Sequence, residues 1–196
     1  MTAMPTLETA RLIIRPLSMD DLQTIHQILN AGFGAEVTET LDVRKRWLQW
    51  TIMGYEQLAR IGQPPYGERA VVLKQTGHLI GTCGFVPCLD VFEQLPGLSH
   101  ATQTTPRHFT STEFGLFYAI EPIYQRHGYA TEAAQAMIDY AFQHLHLKRI
   151  VATTTYDNAA SVSVMRKLGM RIEKNPYPDP PWLQIVGILE NHLTRS

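Results

Sequence analysis

The stretch "YQRHGYATEAAQAM", residues 124–137, leads a glycine-containing turn directly into an alanine-rich segment. Apolar residues recur there at helical spacing from Ala130 to Leu145, which predicts a helix of about four turns. No Ser or Asp cap stands at its start, so the first backbone N–H groups of the helix stay available to a ligand. These groups lie at the positive end of the helix dipole and favour an anion, above all a phosphate. Gly128 allows the backbone to approach such a group closely.

The N-terminal part of the chain predicts a strand, two helices and a hairpin. Residues 9–17 form the strand, and Ser18 with Asp21 resembles a capping box at the start of the first helix. A second helix is predicted over about 40–61, ending before Gly62. The runs "RAVVLK" and "HLIGTCGFV", separated by Gln-Thr-Gly, are typical of a β-hairpin.

The C-terminal part alternates strands and helices around the opening stretch. Residues 87–112 show little periodicity and predict a long loop, after which residues 113–120 read as a strand. A β-branched strand at 149–155 is followed by a short helix that Gly169 closes, and "LQIVGILEN" is a final strand. This pattern predicts a mixed α/β class and a single domain over residues 1–196.

The composition excludes several classes of function. The formal net charge is −1, which disfavours nucleic-acid binding through phosphate neutralisation. Cys83 and Cys88 lack further ligands at metal spacing, so we expect reduced thiols and no metal. The N-terminus lacks the features of a signal peptide, and no apolar run approaches the roughly 20 residues that span a bilayer. We therefore expect a soluble, cytoplasmic protein without a membrane partner.

The turn matches neither the dinucleotide-binding nor the P-loop glycine pattern. It reads Gln125-x-x-Gly128-x-Ala130, followed by "YATEAAQAMIDYAF" and "KRIVATTTYDNAASVSVMRKLGM", with "LETARLIIRPLSMDDL" near the N-terminus. In this combination residues 113–175 resemble the acetyl-CoA-binding core of the GNAT superfamily of N-acetyltransferases, and within it the RimJ/RimL type. The resemblance implies a GNAT fold, which is a mixed, mostly antiparallel twisted sheet with one splayed parallel strand pair and flanking helices. Residues 87–112 are then an insertion.

The resemblance also implies acetyl-CoA as co-substrate and assigns residues to it. The pyrophosphate would lie on the main chain of the turn, at Gln125, Arg126, His127, Gly128, Tyr129, Ala130 and Thr131. The pantetheine arm would pass between strands 113–120 and 149–155, bonding to main chain at Tyr118, Ala119 and Ile120. Asn158 would contact the pantetheine or acetyl region.

Two residues are candidates for proton transfer. Glu113 is the candidate base, because many superfamily members carry a glutamate on this strand. Relatives often have this glutamate two residues later, where this chain has Gly115. A solvated glutamate at a strand start, with water as the base, is the alternative. Ser161 is the candidate acid, since Met165 stands where many relatives have a tyrosine and is expected to pack in the core. Capping of the short helix is the alternative role for Ser161.

These features predict an enzyme that transfers acetyl from acetyl-CoA to a primary amine by direct attack in a ternary complex. The acceptor is either a protein N-terminus or a small-molecule amine. The alternative is a non-catalytic acyl-CoA-binding or regulatory module of the same fold. Monomer and homodimer are both open.

Overall fold

The computed structural model describes residues 5–33, 38–64, 66–98 and 109–191. The chain divides into two compact units. The first unit comprises Met1–Val86 with Phe117–Tyr140, and the second comprises Pro87–Leu116 with Ala141–Ser196. The single-domain organisation over residues 1–196 stays a prediction.

The described residues form eight strands and four α-helices. In chain order these are β1 (Leu7–Glu8), β2 (Leu12–Pro16), α1 (Leu22–Phe33), α2 (Leu41–Arg60), β3 (Glu68–Leu73), β4 (Leu79–Asp90), β5 (Ser111–Ile120), α3 (Tyr129–Gln143), β6 (Arg149–Thr154), α4 (Ala159–Lys167), β7 (Arg171–Lys174) and β8 (Ile185–Glu190). The strands form one sheet in the order β1-β2-β3-β4-β5-β6-β8-β7. Within the described part of the chain, no helix is both long and apolar enough to cross a membrane.

The sheet is mostly antiparallel, with one parallel pair. Strands β5 and β6 run parallel, with Gly115 opposite Val151. Strand β6 then pairs antiparallel with β8 along its whole length, from Arg149 opposite Glu190 to Thr154 opposite Ile185. The predicted mixed sheet with a parallel pair and flanking helices is therefore confirmed.

Each unit has its own apolar core. In the first unit the predicted apolar face of α1 packs on α2 and β3, and the buried residues of this core are Leu17, Ile25, Leu29, Leu48, Ala70 and Val72. In the second unit, β6 and β8 pack with the segment after β4, through Phe92, Leu95, Leu98, Val151, Leu183, Val186 and Ile188. The alternation of buried Leu12 and Ile14 in β2 matches the predicted strand.

The predicted helix ends are mostly confirmed. The Asp21 carboxylate accepts a hydrogen bond from the Ser18 N–H at 2.8 Å, although a short 3-10 turn precedes α1. The Thr40 side chain caps α2, accepting from the Val43 N–H at 3.4 Å. Gly169 follows α4 with φ of 76°, a left-handed conformation that suits glycine at a helix C-terminus.

Three strands differ from the prediction, and of these β1 was not predicted at all. Strand β4 continues through Pro87 to Asp90, so the predicted loop over 87–112 begins later than expected, and its residues 99–108 lie outside the described residues. Pro87 breaks the apolar run in the sequence, yet a strand tolerates proline where its nitrogen makes no ladder bond. Strand β7 was missed, because the four residues "RIEK" are largely polar and are held as a strand by pairing with β8.

Candidate functional site

The turn before α3 has a backbone that few residue types adopt easily. Arg126 has φ of 63° and Gly128 has φ of 83°, both in the left-handed region. The Glu132 N–H donates to the Gly128 carbonyl at 3.0 Å, so Gly128 occupies the N-cap position of α3. Glycine has no side chain that could accept from the N–H groups of the first turn. Main-chain donors at the start of a helix are the arrangement on which a phosphate binds.

Glu132, in the first turn of α3, ties this turn to the N-terminal strands. Its carboxylate accepts from the Thr9 hydroxyl at 2.6 Å, from the Arg11 N–H at 2.9 Å and from Arg11 Nε at 2.6 Å. The same guanidinium donates to the His127 carbonyl at 2.9 Å and lies 4.4 Å from the centre of the Tyr129 ring. We call Thr9, Arg11 and Glu132 the Glu132 clamp. The clamp ties the His127 carbonyl and the first turn of α3 to the N-terminal strands.

The electrostatics of the clamp favour the charged form of Glu132. Burial pushes the pKa of this carboxyl up, but the hydrogen bonds from Thr9 and Arg11 outweigh burial, so the pKa lies below its ordinary range. Glu132 is therefore ionised at neutral pH.

Several predicted ligand side chains are used within the turn itself. Gln125 Nε2 donates to the Ile120 carbonyl at 2.9 Å, which joins the turn to the end of β5. His127 Nδ1 lies 2.7 Å from the Gln125 carbonyl, and the imidazole stacks on Tyr129 with ring centres 5.8 Å apart. These contacts hold the side chains of Gln125 and His127 within the turn, whereas the side chain of Arg126 is exposed.

The remaining predicted cofactor residues of the first unit lie on either side of this turn. Tyr118 and Ala119 are half-buried and Ile120 is buried at the end of β5, where Gly81 of β4 approaches their backbone closely. Arg126 is exposed, whereas Ala130 and Thr131 are half-buried in the first turn of α3. Their contacts with acetyl-CoA stay predictions.

In the second unit, Asn158 and Ser161 form the start of α4. Asn158 Oδ1 accepts from the Ser161 N–H at 3.1 Å, so the side chain of Asn158 caps the helix. Capping of this helix by the Ser161 hydroxyl stays the alternative role for that side chain. Whether Ser161 donates a proton stays a prediction.

Glu113, in β5, forms an ion pair within the second unit. Arg149 Nε donates to Glu113 Oε2 at 3.0 Å, and the Nη2 of Arg149 contacts the other carboxylate oxygen. Arg149 also lies 3.4 Å from Glu190. The Glu113 side chain is 10% exposed, so it is not the solvated residue that the alternative expected. Its role as base stays a prediction.

Other candidate groups have structural roles. The Tyr156 hydroxyl donates to the Asn175 carbonyl at 2.6 Å, and Tyr124 lies 3.5 Å from His78 Nδ1. Met165 is 1% exposed, which confirms its predicted place in the core. Burial raises the pKa of both Cys83 and Cys88, so the two thiols stay protonated. Among the described residues, no group of three His, Cys, Asp or Glu side chains is arranged to hold a metal ion.

Sequence reasoning missed two features of the first unit. The Glu132 clamp joins residues 121 positions apart, and nothing local in the sequence marks such a pair. Glu68 begins β3 and reads as an ordinary polar strand end, yet burial raises the pKa of its carboxyl to about 7 against the opposing charge of Arg44. Perturbed carboxyl groups of this kind cluster at functional sites.

Curated proteins similar to this chain include several N-acetyltransferases. The chain is 42% identical to the uncharacterized N-acetyltransferase YnaD of Bacillus subtilis over 67 residues, which are 34% of this chain and 39% of that protein. It is 30% identical to the uncharacterized N-acetyltransferase YoaA of Bacillus subtilis over 86% of this chain and 84% of that protein. It is 25% identical to the spermidine N(1)-acetyltransferase of Escherichia coli over 87% of this chain and 77% of that protein.

Solved structures share the fold at low sequence identity. An acetyltransferase from Agrobacterium tumefaciens has a TM-score of 0.70 and 22% identity, covering 97% of this chain and 96% of that one. RimL, a ribosomal L7/L12 alpha-N-protein acetyltransferase in complex with coenzyme A, has a TM-score of 0.65 and 13% identity, covering 96% and 98% of the two chains. The acetyltransferase (GNAT) domain family matches residues 11–171. The chain belongs to the GNAT family of N-acetyltransferases.

Proposed function

We propose that this enzyme transfers the acetyl group of acetyl-CoA to a primary amine by direct attack in a ternary complex. The observation that carries the proposal is the turn before α3, with left-handed residues at Arg126 and Gly128 and a glycine at the N-cap. A Cβ at position 128 would come within 3.4 Å of Arg11 Nη2, and the left-handed backbone there favours glycine. The Glu132 clamp supports the proposal, because it holds the turn in one conformation before the ligand arrives.

The residues that would hold acetyl-CoA are those of the sequence prediction. The main chain from Gln125 to Thr131 would bind the pyrophosphate, and Tyr118 to Ile120 with Asn158 would bind the pantetheine arm. When bound, acetyl-CoA supplies an activated acetyl group as a thioester.

The proton transfers are assigned to two side chains. The amine must lose a proton to attack, and Glu113 is the proposed acceptor of that proton, directly or through water. Its pairing with Arg149 leaves only the lone pairs that point away from the guanidinium for this purpose. Ser161 is proposed to protonate the departing thiolate, and a strand N–H next to the parallel pair to stabilise the charge that develops on the acetyl oxygen.

Two classes of acceptor fit the family. The similar protein from Escherichia coli is named for spermidine, a small polyamine, whereas the structural neighbour RimL is named for a ribosomal protein N-terminus. We propose a primary amine of one of these two classes. A non-catalytic acyl-CoA-binding module of the same fold is the second candidate, favoured by Met165 in place of the tyrosine acid.

Thiol release from acetyl-CoA tests the proposal. The protein is incubated with acetyl-CoA and a panel of amines that includes polyamines, amino acids and peptides beginning with Ala, Ser or Thr. We expect at least one amine to accelerate thiol release. Binding of acetyl-CoA without turnover of any amine in the panel would contradict the enzyme and favour the non-catalytic module.

A further inference from the structure

Helix α2 carries a row of apolar side chains that stays exposed to solvent. Leu48 and Thr51 lie on its inner face and are buried. On another face Val43 is 36% exposed, Trp50 is 68% exposed, and Ile61, directly after the helix, is 70% exposed. Single apolar residues on a surface need no explanation, whereas several of them in one row mark an interaction surface.

The row has the spacing of a coiled-coil seam. Steps of four and three residues alternate along it, which is the heptad spacing of the positions that face a partner helix. The positions, which we call the α2 seam, are Val43, Trp47, Trp50, Gly54, Gln57 and Ile61. Trp47 is half-buried, and the Arg44 guanidinium lies 5.2 Å from the centre of its ring. The seam extends over about 27 Å of helix, which is long enough for a helix-to-helix contact.

Gly54 lies in the middle of the seam, where packing within the chain gives no reason for a glycine. Glycine in a helix interior is less favourable than alanine. A Cβ at this position would have no neighbouring atom within 4 Å among the described residues, apart from the adjacent backbone of the helix. Trp50 lies one turn earlier on the same face, and its side chain is exposed. A large side chain and a position without one thus stand side by side, as a knob and a hole do in packed helices.

A second copy of α2 matches this row when the two helices run antiparallel. In the register centred on Ile52, each seam position of one copy lies opposite a seam position of the other. The resulting pairs are Val43 with Ile61, Trp47 with Gln57 and Trp50 with Gly54. Each tryptophan at position 50 then meets a glycine, so the knob of one copy fills the hole of the other. Parallel helices would instead place tryptophan on tryptophan and glycine on glycine, which leaves one layer crowded and the next one empty.

The charges beside the seam allow two copies to meet. Asp42, Arg46, Glu56 and Arg60 are exposed along one border of the seam. In the antiparallel register Arg46 of one copy comes between Glu56 and Arg60 of the other, and Asp42 comes near Arg60. The border thus contains as many acidic as basic groups, so its net charge does not oppose the contact.

We propose that the α2 seam is the interface of a homodimer, in which two copies of α2 pack antiparallel and Trp50 of each copy packs on Gly54 of the other. The partner is a second copy because the surface is complementary to itself, as a two-fold interface requires. Two helices bury less than the roughly 800 Å² per partner of a standard interface, so we expect micromolar affinity. The seam contains no residue assigned to acetyl-CoA or to proton transfer, so the dimer is independent of the proposed function.

Sedimentation velocity over a range of protein concentrations measures the association. We expect the wild type to pass from monomer to dimer with a Kd of about 1–100 μM. Trp50→Gln removes the knob and Gly54→Gln fills the hole, and we expect each to raise the Kd at least about tenfold. Ala59→Gln introduces the same side chain at an exposed position outside the seam and is expected to leave the Kd unchanged. A wild type that is still monomeric at about 500 μM overturns the proposal, as does an unchanged Kd in both seam variants.

The stability of Gly54→Gln shows that a weaker dimer is not the result of a damaged fold. Glutamine is a better helix former than glycine, and the position has room for a side chain within one copy. At a protein concentration below the Kd, we therefore expect the denaturant midpoint of this variant to lie above that of the wild type. Weaker association together with a more stable monomer is the expected pair of results. A variant that is both destabilised and unchanged in its Kd contradicts the packing of Trp50 on Gly54.

Exchanging the two side-chain sizes tests the antiparallel register. Trp50→Gly has glycine at both central positions and Gly54→Trp has tryptophan at both, so we expect neither variant to associate with itself as the wild type does. In a mixture, every glycine of one variant meets a tryptophan of the other. We expect a heterodimer with a Kd at least about tenfold below that of either variant alone. A mixture that stays monomeric where the wild type is dimeric overturns the proposal, and if either variant fails to fold, the two Gln variants decide it.

Discussion

At the scale of single residues, the turn before α3 concentrates its unusual features in two positions. Arg126 and Gly128 both have left-handed backbones, which glycine adopts without strain and arginine adopts at a cost of about 1 kcal/mol. The left-handed backbone at position 126 therefore gives no reason for an arginine there, and only the charge of its exposed side chain favours arginine over glycine. Replacing it separates the contribution of the main chain from that of the side chain.

We expect Arg126→Gly to bind acetyl-CoA with an affinity within about threefold of the wild type, because main-chain N–H groups hold the pyrophosphate in this account. Calorimetry measures the affinity. A loss of about tenfold or more would instead assign the phosphate contact to the guanidinium.

Ser161 offers a second test at this scale. The Ser161 N–H donates to Asn158 Oδ1, and removing the Ser161 hydroxyl leaves this main-chain hydrogen bond in place. We expect Ser161→Ala to lower kcat by about tenfold to a hundredfold with little change in acetyl-CoA affinity, as for loss of a general acid. Ser163→Ala, at an exposed position of the same helix, is the matched control. Equal turnover in both variants would remove Ser161 from the chemistry.

At the scale of elements, periodicity predicted the strands and helices whose apolar residues form a core. It predicted β2, β3, α2, α3 and α4, since each buries a regular face. It missed β7, a short polar strand, because pairing with β8 and not its own composition holds it. The sequence pattern likewise did not predict the Glu132 clamp, since Arg11 and Glu132 come into contact only when β2 and α3 pack together. Features that depend on contacts between distant elements therefore cannot be predicted from local sequence patterns.

The clamp makes a prediction for α3. Glu132→Ala removes acceptors for Thr9 and Arg11, and we expect it to lower the free energy of unfolding by about 1–3 kcal/mol. We also expect it to raise KM for acetyl-CoA by about tenfold while kcat changes little, because the turn loses its fixed conformation. Gln135→Ala breaks an exposed hydrogen bond to Asp139 in the same helix and serves as the control. A fall in kcat without a change in KM would contradict the positioning role.

At the scale of the whole molecule, buried carboxyl groups act on stability in opposite directions. Burial pushes the pKa of Asp21 up, but hydrogen bonds from Arg15 and Ser18 outweigh burial, so the pKa lies below its ordinary range. The pKa of Glu132 is lowered in the same sense. Both groups stabilise the folded state above their ordinary pKa values, and this contribution is lost as the pH falls through the lowered values. The pKa of Glu68 is shifted in the opposite direction, so its effect on stability has the opposite sign.

The pKa of Glu68 is raised from 4.5 to about 7, so the folded state binds its proton more tightly than the unfolded state. Its contribution to stability is complete below pH 4.5 and is lost as the pH rises to about 7, amounting to about 3 kcal/mol. We expect Glu68→Gln to be more stable than the wild type at about pH 8. We also expect its free energy of unfolding to lack the fall between pH 4.5 and about 7 that Glu68 causes. Denaturant unfolding across the pH range measures both. A wild type whose stability does not fall over this interval would contradict the assignment.

The most direct test of the account is acetyl-CoA binding to two isosteric variants of Gly128. Asn and Asp tolerate the left-handed backbone at this position better than other residues, and they differ only in charge. Calorimetry at low and high salt should show Gly128→Asp binding acetyl-CoA at least about tenfold more weakly than Gly128→Asn, with the gap shrinking as salt screens the repulsion. Equal affinities for the two variants would contradict the claim that the pyrophosphate binds at the start of α3.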